Sequence, residues 1–123
     1  MGLDTTHDCW HGAYSSFMEF RRVIAKAVGI TLDHMEGFAS DSAIGHIRWE
    51  TLTPDPIHTL LNHSDCDGYI EVADLIPLAE RLEQIGPTLP DCPDWPDYYR
   101  DRAATFAKGL RQAWDAKERV EFH

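Results

Sequence analysis

The spacing of apolar residues changes several times along the chain, and each change marks an element. Gly2 to Gly12 holds Leu3, Thr5, Thr6 and Trp10 without a helix start, which predicts an extended, strand-like beginning. From Ala13 the period becomes helical. Tyr14, Phe17, Met18, Ile24 and Val28 share a face and Gly29 supplies a stop, so a first helix is expected over 13–28. Leu32 to Phe38 reads as a short helical turn ended by Gly37. Ile44 to Glu50 reads as a short strand, because Ile47 and Trp49 alternate with polar neighbours. Thr53-Pro54-Asp55-Pro56 is a helix-start signal, with Asp55 as N-cap and Pro56 at the first helical position. Ile57, Leu60 and Leu61 form the buried face of the short helix that follows, and Asn62 to Gly68 is a loop. A further helix turns Val72, Leu75, Ile76, Ala79, Leu82 and Ile85 inward. Pro77 is expected to kink or restart it near Ile76, because proline lacks the amide donor.

After the proline-spaced stretch Pro87–Pro96, Tyr99, Ala103, Phe106, Leu110 and Trp114 mark a long last helix over 96–117. Arg119 to His123 alternates and is expected to pair with the amino-terminal strand. The fold class read from this pattern is α+β, mainly helical: about four helices in a single domain, 1–123, with a small sheet joining the termini.

Charge narrows the function classes. The 123 residues carry 11 Lys and Arg against 21 Asp and Glu, a net charge of −10. Such a chain is a poor binder of nucleic acid, which is held through clustered basic residues. A composition 43% hydrophobic and 26% charged belongs to globular proteins rather than disordered ones. No apolar run approaches the roughly 18 residues of a membrane span, and no basic-then-apolar signal opens the chain. The expected location is cytoplasmic. Three cysteines, Cys9, Cys66 and Cys92, fit a reducing compartment with free thiols or metal ligands, Cys92 being an ordinary loop cysteine.

Candidate chemistry concentrates in two places. In Asn62-His-Ser-Asp-Cys-Asp-Gly68 and the residues after it, placing Gly68 at position 6 of a calcium-binding loop puts Asp65 at 3, Asp67 at 5, the Tyr69 carbonyl at 7, Glu71 at 9 and Asp74 at 12. Ile70 falls on the apolar position 8. Over about 30 residues, Pro54 to Ile85, this resembles the EF-hand family, whose loops bind calcium between two helices. His63 departs from that pattern at position 1, where the family has Asp, and Asp74 is shorter than the usual Glu. Imidazole suits zinc better than calcium. Three readings stay open: side-chain caps without a metal, a calcium or magnesium site, and a site using His63 or Cys66. The fragment Ile44-Gly45-His46-Ile47 copies the glycine and isoleucine spacing but lacks the carboxylates.

The second place is His7-Asp-Cys9-Trp-His11. In an extended strand residues two apart share a face, so His7, Cys9 and His11 would project together as zinc ligands, joined by His63 or Cys66. A water in the fourth position would make a small zinc hydrolase with Asp65 or Asp67 as general base. Without metal, Cys9 is a candidate nucleophile with His7 or His11 as base.

The segments Met1-Gly-Leu-Asp-Thr-Thr-His-Asp-Cys-Trp-His-Gly-Ala-Tyr-Ser-Ser-Phe17 and Leu61-Asn-His-Ser-Asp-Cys-Asp-Gly68, with the ending Val120-Glu-Phe-His123, resemble an uncharacterised family of small phage and bacterial proteins. That resemblance implies a cytoplasmic protein of mobile elements and supplies no activity. The expected function is an acidic module stabilised by a divalent ion, calcium or zinc. The alternatives are the zinc hydrolase and an acidic interaction or small-molecule-binding protein. For the last, Glu80, Glu83, Asp91, Asp94, Asp97 and Asp101 would face a basic partner surface, and Trp95, Tyr98 and Tyr99 would stack on a ring.

Overall fold

Leu3 is fully buried between two exposed neighbours, the alternation of a half-buried strand. The structure is a computed structural model that describes residues 2–38 and 47–123. In it β1 (Gly2–Asp4) pairs antiparallel with β2 (His11–Ala13), Gly2 opposite Ala13 and Asp4 opposite His11. The expected extended run from 2 to 12 is therefore a hairpin, and Thr6–Asp8 between its strands is a single tight helical turn.

Helix α1 (Tyr14–Ala27) buries Phe17, Phe20, Ile24 and Ala25 along its apolar stripe, and Gly29 at φ +79° ends it. Leu32–His34 forms one helical turn. The strand expected over 44–50 falls partly outside the described residues. The part described is a parallel bridge from Ile47 to Met35 followed by a turn, Trp49–Thr51. The indole Nε1–H of Trp49 donates to the Glu36 carbonyl at 3.1 Å, which folds this stretch back on the previous turn instead of extending it.

Helix α2 (His58–Leu61) starts two residues later than the Asp55–Pro56 signal places it, with Ile57 as its N-cap; Asp55 instead caps the turn ahead of it, its Oδ1 accepting the Ile57 amide at 3.0 Å. The same carboxylate accepts from Arg81, Nε at 3.0 and 3.1 Å and Nη2 at 3.0 Å, tying α2 to the next helix. Partial burial pushes this carboxyl up, but the Arg81 and Ile57 hydrogen bonds outweigh it and leave it below 3.8. The unfolded chain therefore holds the proton more tightly. The pair stabilises the fold above the unfolded value and is lost as pH falls through the folded one. Asp55→Asn is expected to lower the melting temperature at neutral pH and to change little near pH ~2. Thermal melts of both proteins across pH check this, and a gap that persisted unchanged in acid would contradict it.

The chain then runs through β3 (Tyr69–Ile70), α3 (Val72–Ile85), α4 (Tyr98–Ala116) and β4 (Val120–Glu121). Helices α3 and α4 make the main helix pair. Leu75, Leu78, Ala79, Leu82 and Ile85 of one and Ala103, Phe106, Ala107, Leu110 and Ala113 of the other enter the core. Pro77 does not restart α3, which runs continuously from 72 to 85. The carbonyl left without a partner belongs to Ala73, in the exposed first turn, where water reaches it. Trp114 is 46% exposed rather than buried, because small residues, Gly109 and Ala113, occupy the inner face of α4 beside it.

Lys117 takes a left-handed conformation, φ 58°, and turns the chain into β4. This strand pairs with β3, Ile70 opposite Val120, and not with β1 as expected from alternation alone. The next residues do reach the amino-terminal hairpin. Phe122 bridges to Thr5, and the backbones of Asp4 and His123 exchange hydrogen bonds of 2.9 and 2.8 Å. One predicted sheet is thus two small antiparallel sheets that share the 120–123 segment. Trp10 packs on Phe17 and Phe20 with ring centroids at 5.2 and 5.3 Å, and Phe17 meets Phe122 at 6.0 Å.

Candidate functional site

The loop after α2 has the backbone its sequence requires. Gly68 sits at φ +87°, and a Cβ there would lie 3.3 Å from the His63 ring, so position 6 needs glycine for conformation and for space. Ile70 is buried and paired with Val120, and α3 starts two residues later. In this loop the strand at positions 7 and 8 is completed by the 120–121 segment. The Phe122 backbone N–H adds a hydrogen bond of 2.9 Å to the Gly68 carbonyl.

His63 lies across the loop. Its Nε2 is 3.1 Å from the Tyr69 carbonyl, its Nδ1 is 2.8 Å from the Ser64 carbonyl, and its face stacks on Phe122 at 4.0 Å. A neutral imidazole donates to one of those carbonyls; the doubly protonated ring donates to both. The Tyr69 carbonyl stands at position 7 in the loop numbering above, so the ring nitrogen lies against the backbone oxygen that the calcium-loop expectation would use. Asp65, Asp67, Glu71 and Asp74 form no ion pair or side-chain hydrogen bond with another described residue. Asp74 lies in the first turn of α3, where a negative charge faces the helix dipole. Cys66 is exposed, with its amide 3.3 Å from the Ser64 hydroxyl and its sulfur 3.6 Å from the same oxygen. Among the described residues, no three of His, Cys, Asp and Glu converge closely enough to hold an ion. The carboxylates of the loop are thus on one segment but not drawn to a point.

His7, Cys9 and His11 do not share a face. The hairpin turn places His7 and Asp8 at φ 60° and 57°, which breaks the two-residue alternation that would have aligned the three. Cys9 points inward and is fully buried. Burial pushes its thiol up to about 12, so without a metal it stays protonated at neutral pH and is a poor nucleophile. His7 Nε2 turns away to Glu118 at 3.1 Å. His11 lies between two carboxylates, Asp8 and Asp4, each at 2.8 Å, and these bonds raise its affinity for a proton. The geometry expected for a zinc hydrolase or a Cys–His pair is therefore not assembled here. The open cleft beside this turn, about 750 Å³, is lined by Thr6, His7, Glu118 and His123, among others.

The acidic run is partly neutralised within the chain. Arg100 binds Asp91 at 2.6 Å and Asp97 at 2.8 Å while also holding the Leu89 and Pro96 carbonyls, and Arg111 takes Glu83 with two bonds of 2.7 Å. Trp95 is 63% exposed, and Tyr98 meets Tyr99 edge-on at 5.5 Å. Two residues that matter were not singled out in the sequence. Arg21 sits on the apolar stripe of α1, four residues after Phe17 and three before Ile24, a readable signal of a charge forced inward. Gly109 sits mid-helix in α4, where glycine is costly without a packing reason. No described helix is long and apolar enough to cross a membrane. Comparison with known protein families, with curated proteins and with solved structures finds no match for the chain.

Proposed function

We propose that the protein is a small acidic binding module whose 62–74 loop takes up a divalent cation, calcium foremost, in exchange for the His63 ring. The observation that carries this reading is the approach of His63 Nε2 to the Tyr69 carbonyl at 3.1 Å, beneath a glycine at φ +87°. A ring nitrogen already occupies the side of the loop on which the position 7 carbonyl would meet an ion. Four carboxylates on the same loop form no ion pair among the described residues, and a divalent ion would relieve their repulsion. Their oxygens are hard ligands, which favours calcium or magnesium over zinc.

The ion has to displace the imidazole and lacks a glutamate at position 12, so binding is weak, with Kd on the order of 1 mM. Occupation ties the end of α2 to the start of α3 and adds to folding stability. The face offered to a protein partner is acidic, and the net charge of −10 draws a basic surface to it. Isothermal titration of the full chain with calcium chloride tests the reading. Saturable heat with a matching rise in melting temperature is expected, and heat no greater than dilution up to about 20 mM calcium would sink it.

A further inference from the structure

Arg21 is 2% exposed on the inner face of α1, with its guanidinium carbon 4.6 Å from the Phe17 ring and 5.2 Å from the Phe38 ring. Of its five N–H donors, one on Nη1 goes to the His63 carbonyl and one on Nη2 to the Met18 sulfur at 3.5 Å. The Nε–H is buried and has no hydrogen-bond partner among the described residues. Among the described residues no carboxylate pairs with it. Burial pulls this guanidinium down to about 10, the nearby charge of Asp65 opposes that, and the side chain remains a cation at neutral pH. A buried cation with an idle donor is costly unless something completes it. Arg21 is one of the residues lining an open cleft of about 390 Å³, together with Met18, Phe38, Asn62, His63 and Asp65.

We infer that this cleft is a binding site for a small, singly charged carboxylate carrying a flat apolar body. The two aromatic rings lie near the guanidinium faces, so the edge is what it offers a ligand. The Nε–H and a neighbouring Nη–H form the fork that receives the two oxygens of a carboxylate. One negative charge neutralises one buried cation. A doubly charged phosphate would leave an excess charge facing Asp65 on the rim. Phe38 is half-buried and rests edge-on against Trp49 at 6.4 Å, so its ring is the cover that turns aside for the ligand and then stacks on its apolar part.

The test follows the Arg21 Nε–H resonance of the full chain by NMR during titration with benzoate, with its neutral counterpart benzamide and with inorganic phosphate. Benzoate is expected to move that signal saturably, with Kd on the order of 1 mM, while benzamide leaves it in place and phosphate binds at least about tenfold more weakly. Arg21→Met is expected to abolish the rise in melting temperature that benzoate gives the wild type. Should that variant fail to fold, the resonance titration of the wild type decides. A signal unmoved by benzoate, an equal response to benzamide, or tighter binding of phosphate would each overturn the assignment.

Discussion

Gly109→Ala is expected to lower stability by about 3 kcal/mol and the melting temperature by roughly 10 °C. At most exposed positions inside a helix this exchange gains up to about 1 kcal/mol from propensity, so even its sign is diagnostic. A Cβ at Gly109 would stand 2.6 Å from Cys9 Sγ, 2.7 Å from the His7 carbonyl oxygen and 2.9 Å from Cys9 Cα. Two of those three atoms are backbone. They belong to the turn in which His7 and Asp8 already hold left-handed conformations, so the turn cannot retreat without releasing Cys9 and Trp10 from the core. Cys9→Ala in the same chain removes the sulfur clash and leaves the backbone ones, so it should restore only part of the loss. Thermal and urea denaturation read both effects. An alanine variant as stable as the wild type would show that α4 and the turn do not meet this closely.

The second large effect is expected from His63→Asp. The substitution supplies the position 1 carboxylate, withdraws the ring nitrogen from the Tyr69 carbonyl and leaves Gly68 in place. Calcium affinity should rise by at least tenfold, to a Kd of about 0.1 mM, or about 1.4 kcal/mol. In about 10 mM calcium this variant then gains about 2.7 kcal/mol of stability, against roughly half that for the wild type. Without calcium it should be the less stable of the two, since a fifth carboxylate joins Asp65, Asp67, Glu71 and Asp74 and the stack on Phe122 is gone. Adding Asp74→Glu, which gives position 12 its bidentate length, should tighten binding further. A melting temperature for His63→Asp that ignores calcium would contradict the placement of the loop.

What the sequence made legible follows from how local each signal is. Helices α1, α3 and α4 announce themselves because one face repeats apolar residues, and Gly29 and the Asp55–Pro56 pair mark boundaries by backbone chemistry. Gly68 was readable for the same reason: only glycine adopts that turn cheaply. The turn at His7 and Asp8 was not, because two ordinary residues take left-handed conformations there only while tertiary packing of Cys9 and Trp10 holds them. Alternation in the last residues identified a strand but not its partner, since a period of two says which side is buried and nothing about which edge is near. Helical spacing puts Trp114 in line with Tyr99, Ala103, Phe106 and Leu110, but spacing takes no account of size, and the close approach at Gly109 selects small residues for the inner face. For the candidate site, the ligand types on 63–74 were visible; the position of the imidazole across the loop was not, because it depends on Phe122 at the far end of the sequence.

That dependence sets an order of events during synthesis on the ribosome. The amide of Glu121 donates to the Thr6 hydroxyl across a separation of 115 residues, and the same short segment supplies the partner of Tyr69–Ile70 and the stacking ring for His63. The β1–β2 hairpin and helices α1, α3 and α4 need only their neighbours, but the strand pairing of the loop and the His63 stack must wait until residues 120–123 have left the exit tunnel. Closing so long a loop carries a large entropic cost before any contact rewards it. Until then the emerging chain is a helical body with its candidate site still open, and residues 120–123 are the ones that fasten it.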